Sequence, residues 1–312
     1  MRYFYFIFIK KNLFYFILMD FFDPHFHVWK PPLHDGSILP KVRDQKVYSR
    51  EDYEKEFENV GTQFRHVGGA FVEAMSVCFP SVAGSELQQS CIEEAKWVLT
   101  ELPGPKYVCV ASAALEADNV AQVLEFFAQE SRIVGVRQIL NFEPSHPRNG
   151  NLGNLLQSES WRAGFEKLAK TNLLFELQCN PSQFDDAIGL LQEFHSTTVV
   201  INHLGCPTLE DLRGERYWEG LNRLSKVHEN VYIKLSMLCA IDERWDENSF
   251  LIACVKRVIS IFGKDRSFFA SNFPVDVVNG SFEASQLLRE FREKISDDPR
   301  LFSTNALRVY KK

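Results

Sequence analysis

Eight short runs of β-branched and aromatic residues, most of them followed by a longer amphipathic stretch, constrain this chain more than any other feature. The runs are 21–28 (FFDPHFHV), 67–72 (VGGAFV), 107–114 (YVCVASAA), 133–140 (IVGVRQIL), 172–178 (NLLFELQ), 198–203 (TVVINH), 231–236 (VYIKLS) and 267–272 (SFFASN). Their near-continuous apolar character suits strands covered on both faces. Helical patterns occupy 85–101, 117–129, 159–170, 182–195, 215–228, 247–262 and 281–295. Ser85 followed by Gln88 reads as a capping box, and Asp118 and Ser182 read as N-caps. Residues 30–66 form a long first loop with a short helix near 50–59. Eight strand–helix units predict one α/β domain, a single (β/α)₈ TIM barrel.

Composition removes other classes. The chain has 312 residues, 45% of them hydrophobic and 24% charged, enough for a large core and too apolar for a disordered chain. Its 35 basic and 41 acidic residues leave a net charge of −6, which speaks against a nucleic-acid partner. The 7 cysteines are scattered without a C-x-x-C pair, as in a cytoplasmic protein with no disulfide framework. Residues 1–19 read as an apolar extension outside the fold, with 20–312 as the barrel; Met19 suits a true start. Lys10, Lys11 and Asn12 split the apolar run, and no small-residue cleavage site follows. Membrane contact is expected only if residues 1–18 belong to the mature protein. Barrels of this size often pair, which leaves a homodimer open without the sequence deciding it.

Barrel active sites lie at the C-terminal ends of the strands, so the polar residues there are the candidates. The first run ends in Asp23-Pro24-His25-Phe26-His27-Val28-Trp29. His25 and His27 are two apart and project to one side, where they suit a shared metal or an anionic substrate. The sixth run ends in Asn202-His203, and the eighth in Ser271-Asn272, with Asp276 one short loop further. Arg137, Lys234 with Ser236, and Glu176 with Gln178 are polar where a packed core would be apolar. Arg137 and Lys234 together predict an electropositive lumen for a substrate bearing a carboxylate or a developing oxyanion. Trp29 suits either an apolar pocket wall or packing. His34 suits a cover over the site, His146 is a weaker candidate, and His66, His195 and His228 fall at the wrong end of the barrel.

Asp23-Pro24-His25-Phe26-His27-Val28-Trp29, Gly135-Val136-Arg137, Asn202-His203-Leu204-Gly205 with Pro207, and Ser271-Asn272-Phe273-Pro274 together resemble the amidohydrolase-related (amidohydrolase 2) family. Within it, the branch similar to 2-pyrone-4,6-dicarboxylate lactonase and sugar-acid lactonases fits best, over about residues 20–310. The resemblance implies hydrolysis of lactones or amides, with some relatives acting as decarboxylases. It matches His25 and His27 to the family's strand 1 pair and His203 to its strand 6 histidine. Asn272 falls where the family usually has an Asp, a metal ligand in some members and a general base in metal-free lactonases.

Two departures follow. Metal-dependent relatives often supply a His from strand 5, where this chain reads Phe175-Glu176-Leu177-Gln178. Asn272 is a neutral amide, which neither takes a proton as a carboxylate does nor ligates zinc well. Whether a divalent metal such as zinc sits on His25 and His27, with Glu176 a weaker ligand candidate, or the site is metal-free, the residues leave open. The expected activity is a lactone-opening hydrolase with His203, Asn272 and Asp276 as catalytic groups. Arg137, Lys234, Gln178 and Trp29 would contact a small-molecule substrate. The alternatives are a non-catalytic small-molecule-binding barrel and a metal-dependent decarboxylase.

Overall fold

The computed structural model of the chain describes residues 18–35, 39, 41–42, 44–61, 63–78, 85–145 and 147–311. Of the extension read over residues 1–19, residues 1–17 lie outside the described residues, as does His146, and the boundary is corrected at Met19, which is buried and begins the first strand. All eight runs become strands: β1 (Met19–Phe26), β2 (Phe64–Val72), β3 (Tyr107–Ser112), β4 (Ile133–Ile139), β5 (Leu174–Gln178), β6 (Val199–Ile201), β7 (Val231–Leu235) and β8 (Ser267–Phe269). They pair in parallel and in chain order. The seam between β1 and the segment after β8 is joined by a parallel bridge, Phe26 to Phe273. There the Asn272 amide donates to the His25 carbonyl (2.9 Å) and the His27 amide to the Phe273 carbonyl (2.8 Å). The expected TIM barrel is the fold.

Helices cover the outside, among them Ser85–Glu101, Glu159–Ala169 and Ser249–Phe262. The first loop carries Arg50–Glu58, started by a Ser49–Asp52 capping box that satisfies two exposed amides at once. Two expected caps are corrected. A turn that brings the Val120 amide onto the Ala117 carbonyl moves the start of Val120–Gln129, so its N-cap is Asn119, without a side-chain bond. Ser182 lies inside the turn Pro181–Gln183 and gives its hydroxyl to Glu143 (2.5 Å). The Ser85 side chain lies outside what is described.

Strand alternation divides the core in two. One set of side chains packs against the helices, where Phe21, Phe165, Phe175 and Phe269 are fully buried. The other faces the lumen, where Phe22, Val108, Val110, Leu174, Val200 and Phe268 form an apolar floor. Tyr310, on the C-terminal helix Asn305–Tyr310, joins this floor. Each such side chain contributes about 1.5–3 kcal/mol through burial. The same strand faces that supply the floor continue upward into polar residues, and these form the site.

Candidate active site

The chain reaches the mouth of the barrel by bending its backbone. His203, Leu204 and Cys206 hold φ of 54°, 57° and 54°, Met237 holds 59° and Asn272 54°. Non-glycine residues in this left-handed region are held there at about 1–3 kcal/mol each, and such strain collects at functional sites. Gly205 completes the turn after β6 at φ 81°, and a Cβ there would meet the Phe184 ring at 2.6 Å. These turns end β6 and β8 earlier than the sequence pattern suggests, leaving His203 and Asn272 just past the strand ends.

Three imidazoles meet in the lumen. His25 Nε2 is 3.2 Å from His27 Nε2, and the His25 and His203 rings lie 4.6 Å apart. His27 Nδ1 bonds the Val72 carbonyl (2.6 Å), and His203 Nδ1 bonds the Ser236 hydroxyl (2.9 Å). Burial first, then the nearby Arg137 and Lys234 charges, pushes His25 and His203 well below the usual histidine range and His27 down to about 3. All three are neutral near pH 7.

Each buried cation brings its own carboxylate, so the expected electropositive lumen is corrected to a nearly balanced one. Lys234 Nζ bonds both oxygens of Glu176 (2.6 and 2.5 Å) and lies 3.1 Å from His25 Nδ1. Glu176 also accepts from Tyr310 Oη (2.5 Å) and Asn202 Nδ2 (2.6 Å), which leaves its carboxylate fully engaged. Arg137 gives Nε to Glu73 Oε1 (2.7 Å), Nη2 to the Glu73 carbonyl (2.7 Å) and Nη1 to Gln178 Oε1 (2.9 Å). A guanidinium has five N–H groups, so two have no acceptor among the described residues and can meet a ligand.

Asn272 and Asp276 form the third part. Asp276, on the helix Val275–Gly280, is buried and accepts from Asn272 Nδ2 (3.1 Å). Burial pushes its carboxyl up to about 8. The nearby Asn272 side chain acts on His27 in the opposite sense to burial, raising it slightly. Below them Asp23 locks the seam, accepting from the Ser271 amide and hydroxyl (3.0 and 2.5 Å) and from Tyr53 Oη (2.9 Å).

The structure thus gathers His25, His27, His203, Arg137, Gln178, Lys234, Glu176, Asn272 and Asp276. Trp29 is buried beside Tyr48, with an indole N–H that finds no acceptor among the described residues. His34 is tied instead to Glu94 (2.9 Å) under the first loop. Sequence reasoning missed Glu73, Asn202 as a donor to Glu176, and Tyr310. Glu73 had a signal, since it stands at the end of β2 as His203 and Asn272 stand at the ends of their runs. Tyr310 had none.

A metal shared by His25 and His27 needs further protein ligands, and the donors around them fall short. Gln178 and Asn272 are neutral amides, and Glu176 is held by four bonds to protein donors. Among the described residues no three His, Cys, Asp or Glu side chains are placed to hold a metal ion. No helix among them is long and apolar enough to cross a membrane.

A parallel eight-stranded barrel with buried ionisable groups converging at the C-terminal mouth defines a (β/α)₈ enzyme fold. Residues 22–312 match the amidohydrolase family (Amidohydro_2), and the chain belongs to it. The uncharacterized protein y4mH of Sinorhizobium fredii is 27% identical over 311 residues, 93% of this chain and 97% of that one. A zinc-bound amidohydrolase from Burkholderia multivorans shares 18% identity at a TM-score of 0.69, covering 93% of this chain and 99% of its own. A probable 2-pyrone-4,6-dicarboxylic acid hydrolase from Acinetobacter baumannii, with citric acid bound, shares 17% at 0.66, covering 94% and 100%. A 2,6-dihydroxybenzoate decarboxylase has the same fold. The family and fold are those of hydrolases and decarboxylases.

Proposed function

We propose that this protein hydrolyses the cyclic ester of a small carboxylated or sugar-derived acid. The observation that carries the reading is Asp276, a buried carboxyl bonded to the strand-end amide Asn272 and raised to about 8. A proton acceptor works best with a pKa near the working pH. His203 is a weak base because burial and Arg137 push it down, and Glu176 is fully engaged. Asp276 is therefore the base of choice, with Asn272 positioning it.

In this reading the two unspent Arg137 N–H groups and the neutral imidazole of His203, whose Nδ1 alone is engaged, by Ser236, bind the substrate carboxylate and the carbonyl oxygen. Gln178 holds the Arg137 fork, and Trp29 offers its unspent indole N–H to the substrate. Water attacks the carbonyl carbon as Asp276 takes its proton. The ring C–O bond then breaks, and Asp276 returns the proton to the departing oxygen. Decarboxylation on a held divalent ion is less favoured, because the donor set for that ion falls short. A purely binding barrel is less favoured too, since Asp276 restores the carboxyl that Asn272 lacks.

The test is proton release from the purified full chain against a panel of pyrone carboxylates and aldonolactones, from pH 6 to 9.5. Ring opening should rise through about pH 8, and Asp276→Asn should abolish that rise and lower kcat at least about 100-fold. No opening of any lactone, or an Asp276→Asn variant with an unchanged profile, would sink the reading. Folding supplies a second readout. Because burial raises Asp276 from 3.8 to about 8, the stability tied to its proton is present below the first value and lost as pH rises through the second. Asp276→Asn should remove that loss, so its urea midpoint should gain on the parent between pH 5 and 9.

A further inference from the structure

We propose that Lys234 is a positioning residue that fixes which nitrogen of His25 carries the proton, and so keeps the His25–His27 pair a hydrogen-bonding site closed to divalent metals. Two groups here have no choice of role. The Val72 carbonyl only accepts, so His27 Nδ1, 2.6 Å away, carries its proton and His27 Nε2 is a lone pair. The Lys234 ammonium, clamped by both oxygens of Glu176, only donates, so His25 Nδ1 at 3.1 Å accepts and the His25 proton sits on Nε2. The 3.2 Å contact between the two Nε2 atoms then has one direction, His25 donating to His27. The chain Lys234 to His25 to His27 to Val72 is complete, with no proton to spare and no lone pair unmatched.

The distance alone does not separate this state from a metal pair. Two imidazole nitrogens on one tetrahedral zinc, with Zn–N of about 2.05 Å, also lie about 3.3 Å apart. The partner at His25 Nδ1 does separate them. A metal-bound histidine normally donates its other N–H to a carboxylate or carbonyl. Here that position faces a cation, so freeing Nε2 for a metal would set an N–H against an ammonium. Glu176 Oε2 lies 3.9 Å from the same Nδ1, behind Lys234. Removing the lysine exposes His25 to a carboxylate, the partner a ligating histidine uses.

This proton arrangement does not depend on lactone hydrolysis. Its test has two parts on the full chain. Nitrogen-15 correlation spectra of the parent protein should show His25 protonated on Nε2 and His27 on Nδ1. Zinc affinity, measured by competition with a chromophoric chelator, should rise at least about tenfold in Lys234→Met. Lys234→Met/Glu176→Gln, which removes both charges, should hold zinc less well than Lys234→Met. His25 protonated on Nδ1 in the parent would overturn the proposal, as would parent zinc affinity equal to that of Lys234→Met. If the lysine variants do not fold, the spectra of the parent decide alone.

Discussion

The floor and the mouth of the barrel are built by the same strand faces, often only two residues apart, yet they hold together by opposite means. On β5, Leu174 belongs to the floor, while Glu176 and Gln178 belong to the site. On β7, Tyr232 packs on the floor, and Lys234 and, past the strand end, Ser236 serve the site. The floor is stable side chain by side chain, because apolar burial needs no particular partner. The mouth is stable only as a set, because each buried charge depends on a matched partner. Glu176 is where the two meet, bonded to Lys234 above and to Tyr310 of the floor.

Breaking the set should cost most. Glu176→Leu leaves the Lys234 ammonium buried without its counter-charge and should lower stability by about 4 kcal/mol. Adding Lys234→Met should return most of it, a coupling that urea unfolding of the three variants reads directly. Recovery to less than half would mean that the pair is not the unit described. Leu174→Ala, two residues below, should cost about 3 kcal/mol, and no second deletion nearby should rescue it. Tyr310→Phe removes one hydrogen bond to a charged group and should cost about 2 kcal/mol in thermal unfolding. It also sharpens the contrast, because the ring stays in the floor while the mouth loses a donor. At the small end, Arg223→Ala breaks an exposed pair with Asp185 and should change stability by less than about 1 kcal/mol. A larger change there would show that the outer surface is no neutral reference.

The fold was legible because its signals are local. Alternation along a strand and the length of the following helix are written within some twenty-five residues, and β3 (Tyr107–Ser112) and the helix Ser85–Glu101 fall within two residues of where the pattern puts them. The strand-end histidines and Asn272 were legible for the same reason. Partners were not. Arg137 and Lys234 read as free positive charge, since nothing near them in sequence announces Glu73 or Glu176.

The sequence by itself determined the eight-stranded barrel and the polar residues at its mouth, because face and period are properties of short segments, and its strand-end motifs carried the family resemblance. Only the tertiary structure decided that the lumen is charge-balanced, that Tyr310 reaches Glu176 from 134 residues away, that Asp276 folds back onto Asn272, and that Lys234 faces His25. Those facts depend on how the strands are staggered and closed around one axis. That geometry sets which side chains from distant segments come within 3 Å of one another, and no short stretch of sequence encodes it.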